Sequence, residues 1–325
     1  MDFNSIFDID SKAAFEKKAL EIFKFQFKEN TVYRSFCDLL CKNPSDIQKL
    51  EDIPFLPIEF FKTHRILSSK AEIKQTFNSS GTTGSILSGH HITNLKVYEK
   101  SFIKGFEGVY DSIENFTIIA LLPSYLEREG SSLVYMVDDM IKKSGHSKSG
   151  FYLEDFKELR DTLLGLEAKG QKTLLIGVSY ALLDLIEFHQ FKLKHTLVME
   201  TGGMKGRRKE LIKSELHALL KDGFGVKTIH SEYGMTELLS QAYSKSDGLF
   251  ATPPWMQILI RDTEDPFKIL KQGKCGGINV IDLANINSCS FIATQDLGKM
   301  HKNGLFELLG RFDQSDIRGC NLMVV

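Results

Sequence analysis

No Lys/Arg block gathers into a basic patch in this sequence. With a formal net charge of -1 at pH 7, nothing offers an electrostatic footprint for nucleic acid. Long apolar runs are missing too. The longest, residues 116–122, falls far short of the roughly 20 residues a membrane-spanning helix needs, so no integral membrane segment is expected. The start, Met1-Asp2-Phe3-Asn4, carries an acid where a secretory leader would carry basic residues. Cysteine is scarce: five residues, an odd count at irregular spacing, argue against a disulfide framework and fit a reducing, cytoplasmic setting. Internal repeats and low-complexity segments are absent as well.

What is present describes an ordinary globular chain. At 325 residues, with 42% hydrophobic and 26% charged residues, it can bury a sizeable core in one large domain or two ordinary ones. Residues 11–42 read as helix, with Ala13, Leu20, Phe23 and Phe27 interleaved with lysines. Pro44, Pro54 and Pro57 break the stretch that follows. Strand patterns at 116–122, 173–177, 196–199 and 226–229 then alternate with helical patterns at 93–109, 131–143, 154–168, 179–190 and 206–221. Such alternation predicts an α/β fold of mostly parallel sheets flanked by helices, which binds ligands at the carboxyl ends of its strands. After residue 245 the pattern changes to strands at 255–261, 277–283, 290–294 and 304–309, separated by turns. Three regions are expected: a helical region over 1–72, an α/β core over 73–244 and a β-rich subdomain with a short tail over 245–325.

Two stretches carry chemistry. Ser79-Ser80-Gly81-Thr82-Thr83-Gly84-Ser85 follows a strand-like run and is rich in hydroxyl donors around two glycines, suited to wrapping phosphate oxygens. It lacks Walker spacing and could equally be a Ser/Gly surface loop. His230-Ser231-Glu232-Tyr233-Gly234-Met235-Thr236-Glu237 sets an aromatic, a glycine, a hydroxyl and a carboxylate together. That set suits a nucleotide lying on a ring beside a metal-bound phosphate, or a plain strand end turning into a helix. Other candidates are poorer. Cys37 and Cys41 lie one helical turn apart with no matching Cys/His pair, and Cys275 and Cys289 have no metal spacing. His90 and His91 are adjacent and so point to opposite faces of a strand. His230 precedes the key loop and could orient a group in it, or be a strand-end histidine paired locally.

Taken in order, Ser79-Ser80-Gly81-Thr82-Thr83-Gly84, Tyr233-Gly234-Met235-Thr236-Glu237, Asp296-Leu297-Gly298 and Gly310-Arg311-Phe312-Asp313 resemble the motifs of the AMP-forming adenylating enzymes. That superfamily includes acyl-CoA synthetases, luciferases and phenylacetate-CoA-type ligases. Within it the chain looks most like the acyl-protein synthetases, the LuxE-type long-chain fatty acid–protein ligases. The residues pointing there are Leu121-Leu122-Pro123-Ser124-Tyr125-Leu126-Glu127-Arg128, Gly130-Ser131-Ser132-Leu133 and Asp316-Ile317-Arg318-Gly319-Cys320-Asn321-Leu322.

The resemblance implies ATP and Mg²⁺ as cofactors and a carboxylic, possibly fatty, acid as substrate. It assigns the loop of Ser79, Ser80, Gly81, Thr82, Thr83 and Gly84 to the β- and γ-phosphates. Gly202 and Gly203 would line the adenine slot, with Tyr233 on the base and Gly234 beside it. Thr236 would meet the α-phosphate and Glu237 the Mg²⁺, while Asp296 and Arg311 would meet the ribose. Tyr125 would close the acyl pocket. The fold implied is the large N-terminal domain of the superfamily.

Two departures follow. The chain stops soon after Arg311, so the C-terminal lid domain and its lysine are expected to be absent, with Lys205, Arg207 and Arg208 as candidates to supply charge. The loop also runs on into Ser85-Ile86-Leu87-Ser88, without the Lys-Pro of many relatives. Cys320, near the carboxyl end, resembles the acyl-accepting thiol of the acyl-protein synthetases. The expected reaction is acyl-AMP formation followed by thioester formation on Cys320, with a reductase or carrier protein as the next acceptor. Two alternatives remain: a ligase that hands the acyl group directly to coenzyme A or a carrier, and a non-catalytic relative binding nucleotide as a scaffold subunit.

Overall fold

The computed structural model describes residues 4–68, 70–79, 86–123, 130–153, 155–202, 208 and 211–312. The chain divides into two compact units. The first gathers Met1–Ser101, Thr236–Ser240 and Ala251–Val325, and the second holds Phe102–Met235 and Gln241–Phe250. Within the first unit the hairpin of Gln75–Asn78 and Gly89–Ile92 packs through His90 on Phe61 and Ser288.

In the first unit the single helix expected over 11–42 is two, Lys12–Glu29 and Thr31–Leu39. Asn30 makes the break. Its backbone is extended, its Oδ1 accepts from Tyr33 N at 3.0 Å, and its Nδ2 donates to Ser288 O at 2.8 Å. A short amide side chain competes with the helix for its own backbone, and here a buried partner decides the outcome. Gln26 anchors the first helix by donating to Asn285 O (3.1 Å) and Ile286 O (3.0 Å) while accepting from Ser290 N (3.0 Å). Phe23, Tyr33 and Phe291 fill the core beneath it.

The β-rich part is an antiparallel run in which Met256–Arg261, Cys275–Asp282, Phe291–Met300 and Phe306–Arg311 pair in sequence order. It is braced by Arg261, whose buried guanidinium donates to Ile278 O (2.6 Å), Asn279 Oδ1 (2.9 Å) and Thr294 O (2.5 Å). A Cβ on Gly277 would come within 2.6 Å of Arg261 Cζ, so only glycine leaves room for it.

The second unit is the parallel α/β part. Gly150–Phe151, Thr117–Leu121, Thr173–Val178, Thr196–Thr201 and His230–Tyr233 lie side by side in that order, all parallel. Ala242–Ser244 follows antiparallel to the last. Every residue of Thr117–Leu121 and Thr173–Val178 is buried, as expected of strands covered on both sides, and this is why they read as unbroken apolar runs. Their helices are Ser132–Ser144, Phe156–Ala168, Ser179–Phe188 and Lys213–Phe224. Among the described residues no helix is long and apolar enough to cross a membrane.

One strand differs from expectation. The apolar run 226–229 is not the strand; His230–Tyr233 is, so the first half of the motif is itself a strand paired on both sides. The helix before it ends at Gly225 in the left-handed region, and Val226 N still bonds back to Lys221 O at 3.1 Å. Pairing with Met199 starts only at His230.

Candidate functional site

In the second unit the strand ends pair in register, Glu200 with Ser231 and Thr201 with Glu232, followed by Gly202 and Tyr233. Glu200 is buried, with Lys213 Nζ at 2.8 Å and His217 Nε2 at 3.4 Å. Burial alone would raise its pKa. The Lys213 charge and hydrogen bonds from His217, Lys213 and Ser231 outweigh that and bring it down to about 2. Ser179 Oγ donates to Gly202 O at 3.0 Å and lies 3.5 Å from Glu200 Oε2, tying the glycine turn to this ion pair. Gly202 has φ +66°, a conformation that favours glycine.

Glu232 takes the other role. It is buried, accepts from Thr201 Oγ1 at 2.5 Å, and has its pKa pushed up to about 7, chiefly by burial and further by the Glu200 charge. Of the two carboxyls, Glu200 has the lysine and ionises readily, while Glu232 is the harder one to ionise. Glu232 Oε1 lies against Gly234, where any Cβ would collide with it. Tyr233 is buried with its ring edge-on to Phe250 at 6.1 Å, and Lys213 Nζ sits 4.7 Å over Phe250.

The two carboxyls respond to pH in opposite windows. An unfolded-state value of 4.5 for Glu232 lies below its folded value, so its stabilisation is full below about 4.5 and is lost as pH rises through 7. Glu200, with its folded value depressed, stabilises above 4.5 and loses that contribution only towards 2. Glu232→Gln, an uncharged isostere, is expected to gain on the wild type between about pH 4.5 and 7 by ~3 kcal/mol and then level off. Urea unfolding at pH 5 and pH 8 reads this. A difference that is the same at both pH values would refute it.

The first unit holds the other half of the motif. Thr236–Ser240 is a buried turn whose backbone is clamped by side chains distant in sequence. His90 Nδ1 lies 2.8 Å from Thr236 O, and Asn285 Nδ2 donates to Glu237 O at 2.7 Å. Leu239 N and Ser240 N donate to Asp282 Oδ2 at 2.9 and 2.8 Å, and Ser240 Oγ donates to Asp282 Oδ1 at 2.6 Å. Leu239 N is also 3.0 Å from Asn285 Oδ1.

Glu237 is 5% exposed. Burial raises its pKa; a hydrogen bond from the Ser88 side chain and the Lys62 charge oppose this, and the Asp296 charge adds to it. Ser88 in turn closes the hairpin below the hydroxyl-rich loop, with Ser79 N donating to Ser88 O at 3.0 Å and Ser88 N to Ser79 Oγ at 2.9 Å. Asp296 and Arg311 are directly opposite one another across antiparallel strands, and Arg311 Nη2 donates to Gln295 Oε1 at 2.8 Å. Ser88, which is bonded to Ser79, and the charge of Asp296, which faces Arg311, both act on the Glu237 carboxyl, so residues spread over more than 230 positions come near one another in the first unit.

The described residues contain no group of three or more His, Cys, Asp or Glu that could hold a metal ion unaided. A buried carboxylate that burial holds high, beside Asp296, still fits Mg²⁺, an ion commonly bound by one or two carboxylates plus substrate phosphates.

Other candidates have surroundings of their own. Arg208, a candidate to replace the lid lysine, is held by Glu187 (2.7 Å) and Asp184 on the helix Ser179–Phe188. Cys37 is buried with its thiol pushed up to about 12, mainly by burial, and Cys41 is exposed, so the two do not form a thiolate pair. His230 pairs locally, Nδ1 to Tyr110 OH at 3.2 Å. Ser80, Gly81, Thr82, Thr83, Gly84, Tyr125, Gly203, Lys205, Arg207 and Cys320 lie outside the described residues. Sequence reasoning passed over Ser88, Asp282 and Asn285 and set His90 aside as one of a poor ligand pair. Only Asp282 left a local trace, since Asp followed two residues later by its bonded Ala284 N at 3.0 Å is a capping pattern.

Residues 6–111 match the family described as acyl-protein synthetase, LuxE. A long-chain-fatty-acid–luciferin-component ligase of Photorhabdus luminescens is 37% identical over 70 residues, which are 21% of this chain and 60% of that protein. Among solved structures, a 2-hydroxyisobutyryl-CoA ligase in its postadenylation state superposes with a TM-score of 0.66 at 11% identity, over 93% of this chain and 68% of that one. ATP-bound MatB from Rhodopseudomonas palustris gives 0.57 at 19% identity, over 75% of this chain and 49% of that one. Over residues 6–111 the chain is similar in sequence to the LuxE acyl-protein synthetases, and in fold it is similar to 2-hydroxyisobutyryl-CoA ligase and MatB.

Proposed function

We propose that this protein is an ATP-dependent acyl-activating ligase that passes its acyl group to a thiol. The observation that carries the reading is the nearness of Ser79, Ser88, Glu237 and the Asp296/Arg311 pair within one unit, which matches in composition what adenylation requires. A carboxylate oxygen of the acid attacks the α-phosphorus of ATP, the bond to the β-phosphate oxygen breaks, and pyrophosphate leaves. Hydroxyls and backbone amides of the 79–85 loop bind the departing phosphates. Thr236 donates to an α-phosphate oxygen as charge grows there. Glu237 would hold Mg²⁺, which neutralises charge on the phosphate oxygens. Asp296 accepts the ribose hydroxyls, Arg311 lies near the same sugar, and Gly202, Gly203 and Tyr233 receive the adenine. Transfer follows when a thiolate attacks the acyl carbon and AMP leaves. Cys320 is the candidate acceptor, with Arg318 favouring its thiolate.

ATP–pyrophosphate exchange with a panel of carboxylic acids, long-chain fatty acids included, tests the reading. Exchange with at least one acid is expected, together with hydroxylamine-labile acyl mass on the Cys320 peptide. No exchange with any acid would sink the activity. Exchange without acyl mass, with full turnover of Cys320→Ser on coenzyme A, would favour direct transfer to coenzyme A, which the likeness in fold to 2-hydroxyisobutyryl-CoA ligase makes the second reading.

A further inference from the structure

We propose that His90 is a positioning residue for adenylation: its Nδ1–H holds the Thr236 carbonyl and thereby fixes the turn that presents Thr236 and Glu237. The inference rests on the adenylate reading of that turn and adds to it a residue that none of the motifs includes.

The chemistry of the partners settles the ring. Thr236 O, 2.8 Å from Nδ1, can only accept, so Nδ1 carries the proton. His90 is fully buried and its pKa is lowered to about 4, chiefly by burial, which keeps the ring neutral. Nε2 is then an acceptor and takes the hydroxyl proton of Ser288 at 2.8 Å, in preference to the longer contact of that hydroxyl with Asn285 O at 3.3 Å. Ser288 is itself fixed, since its carbonyl accepts from Asn30 Nδ2 at 2.8 Å and Ser68 Oγ at 2.5 Å. Phe61 closes on the ring edge-to-face at 5.4 Å. The imidazole has no freedom to rotate away from the turn.

The turn needs such a hold on this side. Asp282 and Asn285 grip it from Glu237 O onward, but neither touches Thr236. His90 supplies the contact at its leading residue, the one whose hydroxyl has to meet the phosphate. The strand placement explains why two adjacent histidines differ. His90 is buried toward the turn, while His91, on the opposite face, is half-buried with its Nδ1 2.9 Å from Thr76 Oγ1.

The test compares three variants by atom position. The Asn side-chain nitrogen lies as many bonds from Cα as Nδ1 does, whereas the Gln nitrogen lies one bond further, where Nε2 is. His90→Ala and His90→Gln are expected to lower pyrophosphate exchange by about ten- to a hundredfold and raise the Mg²⁺ midpoint several-fold, while His90→Asn recovers to within about threefold. Hydrogen exchange of the peptide covering residues 236–240 provides a readout that needs no turnover. It is expected to quicken in the Ala and Gln variants and to stay near wild type in Asn. Exchange that quickens across the whole chain, or an Asn variant no better than Gln, would make His90 a packing residue and overturn the inference while leaving the adenylate reading in place. A wild-type chain inactive with every acid overturns that reading and the positioning role of His90 in adenylation together, and the peptide data then report on the clamp alone.

Discussion

Glu237→Gln is expected to lower ATP–pyrophosphate exchange by at least about a hundred- to a thousandfold, because it removes the charge that would hold the metal without changing shape. The substitution is well placed for a clean result. Glu237 is buried, and burial together with Asp296 raises its pKa above the ordinary carboxylate value. A group raised in the folded state stabilises only below its unfolded pKa, and that contribution is lost as pH rises through the folded value. At neutral pH the carboxylate therefore costs stability, and the amide relieves it. The Ser88 hydroxyl can still donate to the amide oxygen. Thermal unfolding on the same preparation should show a midpoint equal to or above that of the wild type. Undiminished exchange in this variant would remove Glu237 from the reaction.

The largest loss of stability is expected from Asp282→Ala. This buried carboxylate accepts from Leu239 N, Ser240 N, Ser240 Oγ and Ala284 N, all within 3.0 Å. Truncation leaves Ser240 N and Ala284 N without an acceptor in a buried setting, and each such group costs about 1–3 kcal/mol. Leu239 N keeps Asn285 Oδ1. Burial pushes the Asp282 pKa up to about 6, so truncation also relieves part of the cost of ionising it at neutral pH, and a net loss of roughly 2–3 kcal/mol follows. Calorimetry should show a melting temperature lower by several degrees, from about 2–4 °C per kcal/mol for a chain of this order of size. Asp282→Asn should retain part of the loss, because its Oδ1 accepts but its Nδ2 faces donors. An Ala variant melting within a degree or two of the wild type would show that the turn is held elsewhere.

Much of the fold was legible in the residues. The parallel strands showed as apolar runs because both of their faces are buried, and the β-rich segment showed because hairpin turns punctuate it. The motif order carried the resemblance to the adenylating enzymes, since each motif is a contiguous string whose meaning survives without a structure. Boundaries were less legible. The split at Asn30 depends on a hydrogen bond to Ser288, far along the chain, and the strand start at His230 depends on where Met199 lies.

By itself the sequence determined the α/β class, the two strand-rich regions and the identity of the motif residues, because periodicity and contiguous strings are local properties. Only the tertiary structure decided what holds Thr236 and Glu237 in place. His90, Asp282 and Asn285 reach that turn across 146, 43 and 48 positions of chain. It also decided which of two buried carboxyls ionises more readily, since Glu200 meets Lys213 and Glu232 meets a hydroxyl. A pKa and a clamp are properties of neighbours in space, set by burial and hydrogen-bond partners that no local spacing reveals.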